Sequence, residues 1–429
     1  MRDGWARRLL QSGLSATMSA VVSMGLVAGC AGTVGGAPVR APAADNANLA
    51  LLDTGPYPTR PSHVPGVAGG DRVLQGLLEA HRMADFVLGP WQVDNNLRRR
   101  PDLGFAIRTG PIAMPVDIND ALGRPFADIV AKHGFIAGFS TMRVAFPEGK
   151  SREGASNAVL RFPDHAAASA AATEMAAGNP TLQGDSPHQP ASIYGYPDAI
   201  ATQYGRADGT RAVESFTPYG PYVLYQWVFN SENLGLNYAS GLVPGFLSGQ
   251  EPLIGQFTPT DPDKLSSLPL DPSGHLLAAT LFIDANQVPS LSGGPWQRRG
   301  WLHFETDPFQ AAAALQAADI DEVAQRSATV YEARNAEAAE RFVNYLDAEL
   351  IHAPSVQPVH DQVPGLPDAR CFQRTADVLD PWAPASWRWI QWHFKCVARA
   401  DRYVYAVFSD NVKDAMQQAS AQYRILAGK

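Results

Sequence analysis

The chain has few cysteines, no long apolar run past its first 30 residues and no cluster of positive charge. Its 429 residues include three cysteines, too few for a disulfide-rich scaffold. Without other ligands they are also too few for a closed zinc site, which takes four ligands. Past residue 30 no run approaches the roughly 20 apolar residues of a membrane span. The formal charge is −8 without a Lys/Arg block, so nucleic acid and anionic membrane surfaces are disfavoured as partners. The remaining composition is that of a globular protein with room for two or three domains.

The first residues of the chain are typical of an export signal. Arg2, Arg7 and Arg8 precede an apolar run, rich in Ala, Val and Met, from Leu9 to Ala28. A basic start, a short apolar stretch and small residues at its end indicate a secretory signal peptide rather than a membrane span. We therefore assign residues 1–29 to a signal peptide.

The segment Leu26–Cys30 resembles a bacterial lipobox, in which a cysteine directly follows small residues. The resemblance implies that Cys30 is diacylated and becomes the first residue of the mature protein. Two acyl chains hold a protein to a membrane far more firmly than one. We expect a lipid-anchored protein on the extracytoplasmic face of the cell membrane. Plain secretion and a retained membrane anchor remain the alternatives.

Composition divides the mature chain into four segments. Residues 30–48 comprise Cys30 and a stretch of small residues that predicts a flexible tether. A Pro-rich stretch at 257–274 is the best candidate for a linker between domains. This places a first α+β domain at 49–256 and a second at 275–429.

The two cysteines that remain after lipidation, Cys371 and Cys396, both fall in the second domain. In an oxidising compartment they are expected to form a disulfide. Closing that loop would contribute roughly 3–4 kcal/mol in the chain-entropy description.

Two short matches at one offset predict that the second half is a copy of the first. The strand-like segment Ala158–Phe162 has a counterpart in Ala328–Glu332, 170 positions later. The segment Gly195–Ala199 has its counterpart in Gly365–Ala369, also 170 positions later. Such self-similarity indicates internal duplication, although short segments of this kind can also match by chance.

A third pair of segments, Tyr222–Phe229 and Tyr403–Phe408, indicates that the second copy carries an insertion, because the offset has grown by 11.

The predicted strands come in runs of two or three between helices, one of which begins after Asp164, a good N-cap residue. This order favours antiparallel sheets with helices packed on one side, an α+β architecture, over a doubly wound parallel sheet.

No recognised catalytic motif is complete, and no cofactor is expected. Leu51–Gly55 resembles the aspartic-protease loop, but no second Asp-Thr-Gly follows and a surface turn is favoured. The nucleophile elbow, the P-loop and the dinucleotide-binding glycine motif are absent from the sequence. His81 and Asp85 share a helical face beside Glu79 and Arg82. A contribution to a metal site is conceivable there, but a solvated helix face is the favoured interpretation.

The segment Trp387–Cys396 alternates like a half-buried strand. Exposed aromatic rings beside polar groups suit stacking on a sugar, a lipid head group or a protein partner. The candidate ligand-binding residues are Trp387, Trp389 and His393. The favoured alternative is that these rings cover a sheet edge or the seam between the domains. Four aromatic residues of the first half allow the same two interpretations: Tyr219, Tyr222, Tyr225 and Trp227.

The chain is similar to a family of actinobacterial cell-envelope lipoproteins, of mycobacterial and nocardial type, whose function is unknown. The resemblance is carried by the lipobox, by Leu51–Thr59, by Glu79–Arg82 and by Ala419–Leu426. It implies a lipid-anchored, extracytoplasmic body in two parts and no catalytic residues.

These observations together predict a non-catalytic envelope protein that binds an envelope ligand or a protein partner between its two domains. A solute-binding component of an uptake transporter is one alternative, which the missing strand-helix alternation disfavours. A hydrolase of unrecognised type is the other, and it would need Ser or Asp with His in a pocket.

Overall fold

The computed structural model describes residues 46–101, 108–145, 153–231, 236–283, 293–375 and 392–428. The predicted signal peptide, Cys30 and all but the last three residues of the predicted tether lie outside these ranges. Trp387 and Trp389 lie outside them as well.

Each half contains one seven-stranded sheet. The strands of the first half are β1 Gly110–Ile112, β2 Ala137–Ala145, β3 Glu153–Arg161, β4 Gln189–Ala191, β5 Ile200–Gly205, β6 Thr210–Tyr219 and β7 Tyr222–Ser231. Those of the second half are β8 Gly294–Gln297, β9 Glu322–Gln325, β10 Ala328–Glu332, β11 Val356–Pro358, β12 Arg370–Arg374, β13 Phe394–Ala400 and β14 Tyr403–Ser409. Every pairing between these strands is antiparallel, as expected.

The helices of the first half are α1 Arg72–Ala84, α2 Asp117–Leu122, α3 Ala127–Lys132, α4 His165–Ala177 and α5 Leu236–Ile254. Those of the second are α6 Arg298–Trp301, α7 Pro308–Ala318, α8 Ala336–Ile351 and α9 Val412–Ala427. Asp164 caps α4 as predicted, because its carboxylate accepts from the Ala167 amide at 2.8 Å. Asn335 caps α8 in the same way, through the Ala338 amide at 2.9 Å.

The two sheets have the same topology, so the predicted duplication is confirmed. The spatial order is β1-β2-β3-β7-β6-β5-β4 in the first and, read from the matching end, β8-β9-β10-β14-β13-β12-β11 in the second. The turns at Gly195 and Gly365 also correspond, as the sequence match predicted. Both glycines have a left-handed backbone conformation, with φ of +81° and +80°, and this conformation favours glycine.

The matched strand segments, however, are offset by 171 residues rather than by the predicted 170. Leu160 of β3 packs beneath α4, and Tyr331 of β10 packs beneath the corresponding helix α8. Val330, the predicted partner of Leu160, faces α9 on the opposite side of its sheet. The strands are apolar on both faces. Comparing residue types along the sequence therefore did not reveal the one-residue shift, although such a shift exchanges the two faces of the strand.

The predicted insertion falls in the connection between β12 and β13. Thr202 pairs with Glu214 in the first sheet, and the corresponding pair in the second is Phe372 with Lys395. The offset is therefore 170 before the connection and 181 after it. Part of the longer connection, residues 376–391, lies outside the described ranges.

Helices cover both faces of each sheet, so the expectation of one-sided packing was wrong. Along β7, Leu224 and Val228 face α5, whereas Val223 and Tyr225 face the opposite core under α4. In the second sheet the corresponding helices α8 and α9 also take opposite faces. The reason is that these central strands are nearly continuous apolar runs, and both of their faces must be buried.

The two halves share one apolar core. The α5 face of the first sheet and the α8 face of the second belong to a single cluster that also includes residues of α1. Arg143 of β2 is fully buried at this seam and donates to the carbonyl oxygens of His303 and Glu305, at 2.8 and 2.9 Å. Its guanidinium also lies 5.1 Å from the ring of Trp91. A buried charge held by carbonyls of the other half fixes how the halves meet.

Residues 48–64, which were assigned to the end of the tether and the start of the first domain, pack on the second half. The Asn48 amide donates to the Gly365 carbonyl at 2.8 Å, and the Ser62 amide donates to Ala278 at 2.9 Å. Asp53 accepts from the Gly55 amide at 3.0 Å and from Gln417 at 2.8 Å. The Asp-Thr-Gly segment is therefore a surface turn against α9, the interpretation favoured over a protease loop.

The disulfide between Cys371 and Cys396 is confirmed. The two residues stand directly opposite each other on β12 and β13, with Cα atoms 4.0 Å apart. Both side chains are buried in the core beneath α9.

All four edge strands of the two sheets contain a proline: Pro111, Pro190, Pro295 and Pro358. The β1 and β8 prolines occupy corresponding places, and so do those of β4 and β11, because their strand partners correspond. Proline has no backbone donor, so it prevents another strand from continuing the ladder.

Candidate functional site

Helix α1 lies between the edges of the two sheets. Its N-cap residue is Asp71, whose carboxylate accepts from the Val73 amide at 2.9 Å. Gly76 lies so close to the first sheet that an added Cβ would stand 2.1 Å from the Ala113 carbonyl oxygen. On the side of the second sheet, α1 contacts β8 and α6. The helix therefore covers one edge of each sheet, at β1 and at β8, where the halves meet.

A groove of about 270 Å³ opens beside α1, between the halves. Its walls come from α1, from the stretch 268–276 and from strands β8 and β9. Five side chains that are more than nine-tenths buried form its apolar lining: Leu78, Leu268, Leu276, Trp296 and Val323. The predicted Pro-rich linker is thus a packed wall of this groove.

His81 is the buried polar residue of the groove wall, with 6% of its side chain exposed. Its ring packs against that of Trp296, with centroids 3.9 Å apart and the planes tilted by 35°. The ring lies against Gly294, where an added Cβ would stand 2.5 Å from its Cε1 atom. The Pro295 backbone lies beside it, but neither ring nitrogen makes a hydrogen bond of regular geometry. Burial lowers the pKa of His81 to about 3, so the imidazole is neutral at physiological pH.

The charged groups around the groove bind one another. Glu79 is fully buried and pairs with Arg161 at 2.5 Å and with Arg82 at 2.6 Å. Arg82 also donates to the Thr258 carbonyl at 2.9 Å. The expectation of a solvated helix face was therefore wrong for Glu79 and His81. Both are buried because α1 is enclosed by the two halves.

The acidic groups on the opposite wall are engaged as well. Asp271 accepts from the hydroxyl of Ser273 at 2.6 Å and from the Leu277 amide at 2.9 Å. Glu322 accepts from the side chain of Gln297 at 3.0 Å. Within the described ranges, no group of three or more His, Cys, Asp or Glu side chains is placed to hold a metal ion.

Of the residues predicted to bind a ligand, His393 is the one that falls within the described ranges. His393 is half-buried, with its ring 5.5 Å from that of Phe394, and it does not line the groove. Its role in binding stays a prediction, as does that of Trp387 and Trp389.

The aromatic residues of the first half belong to its core. Tyr225 donates to Glu214 at 2.7 Å, and the indole of Trp227 donates to Tyr204 at 2.8 Å. Arg124 completes this buried network through Glu214 at 3.2 Å. With every partner inside the protein, these rings specify the packing of the first sheet rather than a binding surface.

Sequence reasoning missed Trp296 and the other groove residues of β8 and β9. One signal could have revealed β8. The dipeptide Gly294-Pro295 repeats Gly110-Pro111, which marks the corresponding edge strand of the first sheet. The groove itself depends on the approach of α1, which no local pattern encodes.

Two family models match most of the chain. The N-terminal domain of unknown function DUF7373 matches residues 68–270, and its C-terminal domain matches residues 276–429. The chain belongs to the DUF7373 family. The N-terminal DUF7373 region contains strands β1 to β7 and the C-terminal one contains β8 to β14, so each family domain corresponds to one sheet.

Other comparisons add little to the DUF7373 assignment. No curated protein matches the chain. Among solved structures, it is similar to the extracellular domain of PknH from Mycobacterium tuberculosis, with 14% identity and a TM-score of 0.28. That match covers 40% of this chain and 96% of the PknH domain, and it is too distant to support an inference. None of the helices in the described ranges is long and apolar enough to cross a membrane.

Proposed function

We propose that this DUF7373 protein is a lipid-anchored envelope protein that binds an envelope ligand in the groove between its halves. The anchor is Cys30, which follows the small residues of the lipobox-like segment. The protein acts on the extracytoplasmic side, held by its acyl chains, and it performs no catalysis itself.

The observation that carries the binding role is the groove beside α1. It is concave, mostly apolar and lies at the junction of two domains, where ligand sites are commonly found. The sequence also predicted a site between the halves, and the groove supports that prediction.

The alternatives fit the arrangement less well. A transporter receptor of the hinged type needs two lobes that move apart, whereas these halves share one apolar core. A hydrolase needs an activated nucleophile or acid, whereas Glu79 and Asp271 beside the groove are held in internal contacts. A rigid binding body is favoured over both.

The anchor is tested by replacing Cys30 with Ser and fractionating the cells. We expect the wild type in the membrane fraction and the variant in the soluble or secreted fraction, because the acyl chains are lost. A Cys396→Ala variant controls for general effects of removing a cysteine. A Cys30→Ser protein that stays in the membrane fraction would refute the lipid anchor.

The binding role is tested with a pair of matched variants. Gln297 and Gln357 are exposed residues on opposite edge strands of the second sheet, and Gln297 lines the groove. Purified from envelopes and analysed by mass spectrometry, the wild type and Gln357→Trp should carry a component that Gln297→Trp lacks. Equal recovery from all three proteins would contradict binding in the groove.

A further inference from the structure

We propose that the groove accepts an uncharged hydrocarbon group of its ligand, either an acyl chain end or a single ring system. This inference rests on the proposed binding role and states the chemistry that the site selects.

The size of the groove limits what enters it. Its volume of about 270 Å³ lies just below the roughly 300–1,000 Å³ of pockets that hold whole drug-sized ligands. Only part of a larger amphipathic molecule, or one small apolar molecule, therefore fits. Apolar side chains line the groove from both halves: Leu78 on α1, and Leu276 and Val323 of the second half.

The charged residues near the groove already have partners within the protein, which disfavours binding of an ionic ligand group. A buried anion needs a cation to pair with, but Arg82 is held by Glu79, at 2.6 Å, and by Thr258. A buried cation needs a carboxylate, but Asp271 is held by backbone amides and Ser273. A charged ligand group would have to compete with these existing contacts.

His81 keeps this wall of the groove uncharged. Its ring is enclosed by Trp296 and Gly294, so protonation there would place an unpaired charge in an apolar setting. The imidazole and the indole beside it are aromatic rings in close contact, and such rings suit contact with hydrocarbon.

Exposed apolar residues also lie at the rim of the groove. Val67 is 49% exposed and is bridged to Pro269, which lines the groove. Pro272, also on the rim, is exposed as well. An apolar rim next to a neutral groove gives an entering hydrocarbon group a continuous path out of water.

The test uses the purified full chain and four defined probes. N-phenyl-1-naphthylamine is a neutral aromatic probe and a monoacylglycerol is a neutral acyl probe. Anilinonaphthalene sulfonate and a fatty-acid carboxylate are their charged counterparts. Binding of each probe is measured separately, by emission for the two aromatic probes and by calorimetric titration for the two acyl probes, for wild type, Gln297→Trp and the control Gln357→Trp.

We expect a neutral probe to bind the wild type and Gln357→Trp, and to bind Gln297→Trp roughly tenfold more weakly or worse, since the new indole fills the groove. Whichever neutral probe binds distinguishes a ring from a chain. Equal or tighter binding of the charged probes, lost in Gln297→Trp, would overturn the inference while leaving the proposed function intact. If neither neutral probe binds, the inference also fails, and recovery of an envelope component then decides the proposed function separately.

Discussion

Two buried histidines at the seam should make the stability of the fold depend on pH. His81 packs against Trp296, and His303 contacts Thr141 at 3.0 Å and the Ala84 carbonyl at 3.2 Å. Both are more than nine-tenths buried. Burial lowers the pKa of each from its ordinary 6.5 to about 3, and the nearby Arg143 adds to the effect at His303.

The direction follows from which state binds the proton. Between pH 6.5 and 3 the unfolded chain protonates each histidine and the folded chain does not, so the free energy of unfolding falls as the pH falls. The contribution is fully present above pH 6.5. From pH 7.5 to pH 5 each histidine should cost about 2 kcal/mol, and the two together about 4 kcal/mol.

Urea unfolding at a series of pH values measures this loss directly. The variant His81→Phe keeps a ring against Trp296 but cannot titrate, so its loss of stability between pH 7.5 and 5 should be smaller than that of the wild type by about 2 kcal/mol. The matched control is His360→Phe, because His360 is exposed. If His81→Phe and the wild type lose stability in parallel, His81 is protonated in the folded state and the reasoning is wrong.

Three further changes test the packing of the fold by urea unfolding. Phe342→Ala removes a buried ring that lies 4.9 Å from that of Tyr331, and it should cost about 3–5 kcal/mol; a cost below 1 kcal/mol would show that the seam is loosely packed. Replacing Cys371 and Cys396 together by Ala opens a loop of sequence separation 25 and should cost about 3–4 kcal/mol, whereas no cost would show that the disulfide does not form. Asp164→Ala and Asn335→Ala remove corresponding helix caps and should each cost about 1 kcal/mol, and a cost for only one would contradict their equivalence.

The sequence was sufficient where the structure depends on local chemistry. Asp164 before an Ala-rich run predicts the start of α4, because a carboxylate accepts from the free amides of a first helical turn. Gly195 and Gly365 mark matched turns because both adopt a left-handed conformation. Cys371 and Cys396 could be paired because Cys30, the other cysteine of the chain, belongs to the predicted lipid anchor.

The sequence was insufficient where burial depends on distant segments. Glu79 and His81 look like surface residues of a helix, and they become interior residues through Arg161 and Trp296. Those partners stand 82 and 215 positions away, so no local pattern records them. The shift from 170 to 171 in the strand match was hidden for a related reason. Both faces of β10 are buried, so either register gives a plausible apolar pattern.

The prolines on the edge strands limit how copies of this protein can associate. Pro111 corresponds to Pro295 and Pro190 to Pro358, so each sheet lacks a backbone donor on both of its edge strands. Joining of two molecules by pairing of these edge strands is therefore disfavoured in both halves. Within the molecule, the two sheets are instead joined through their faces, in the shared apolar core.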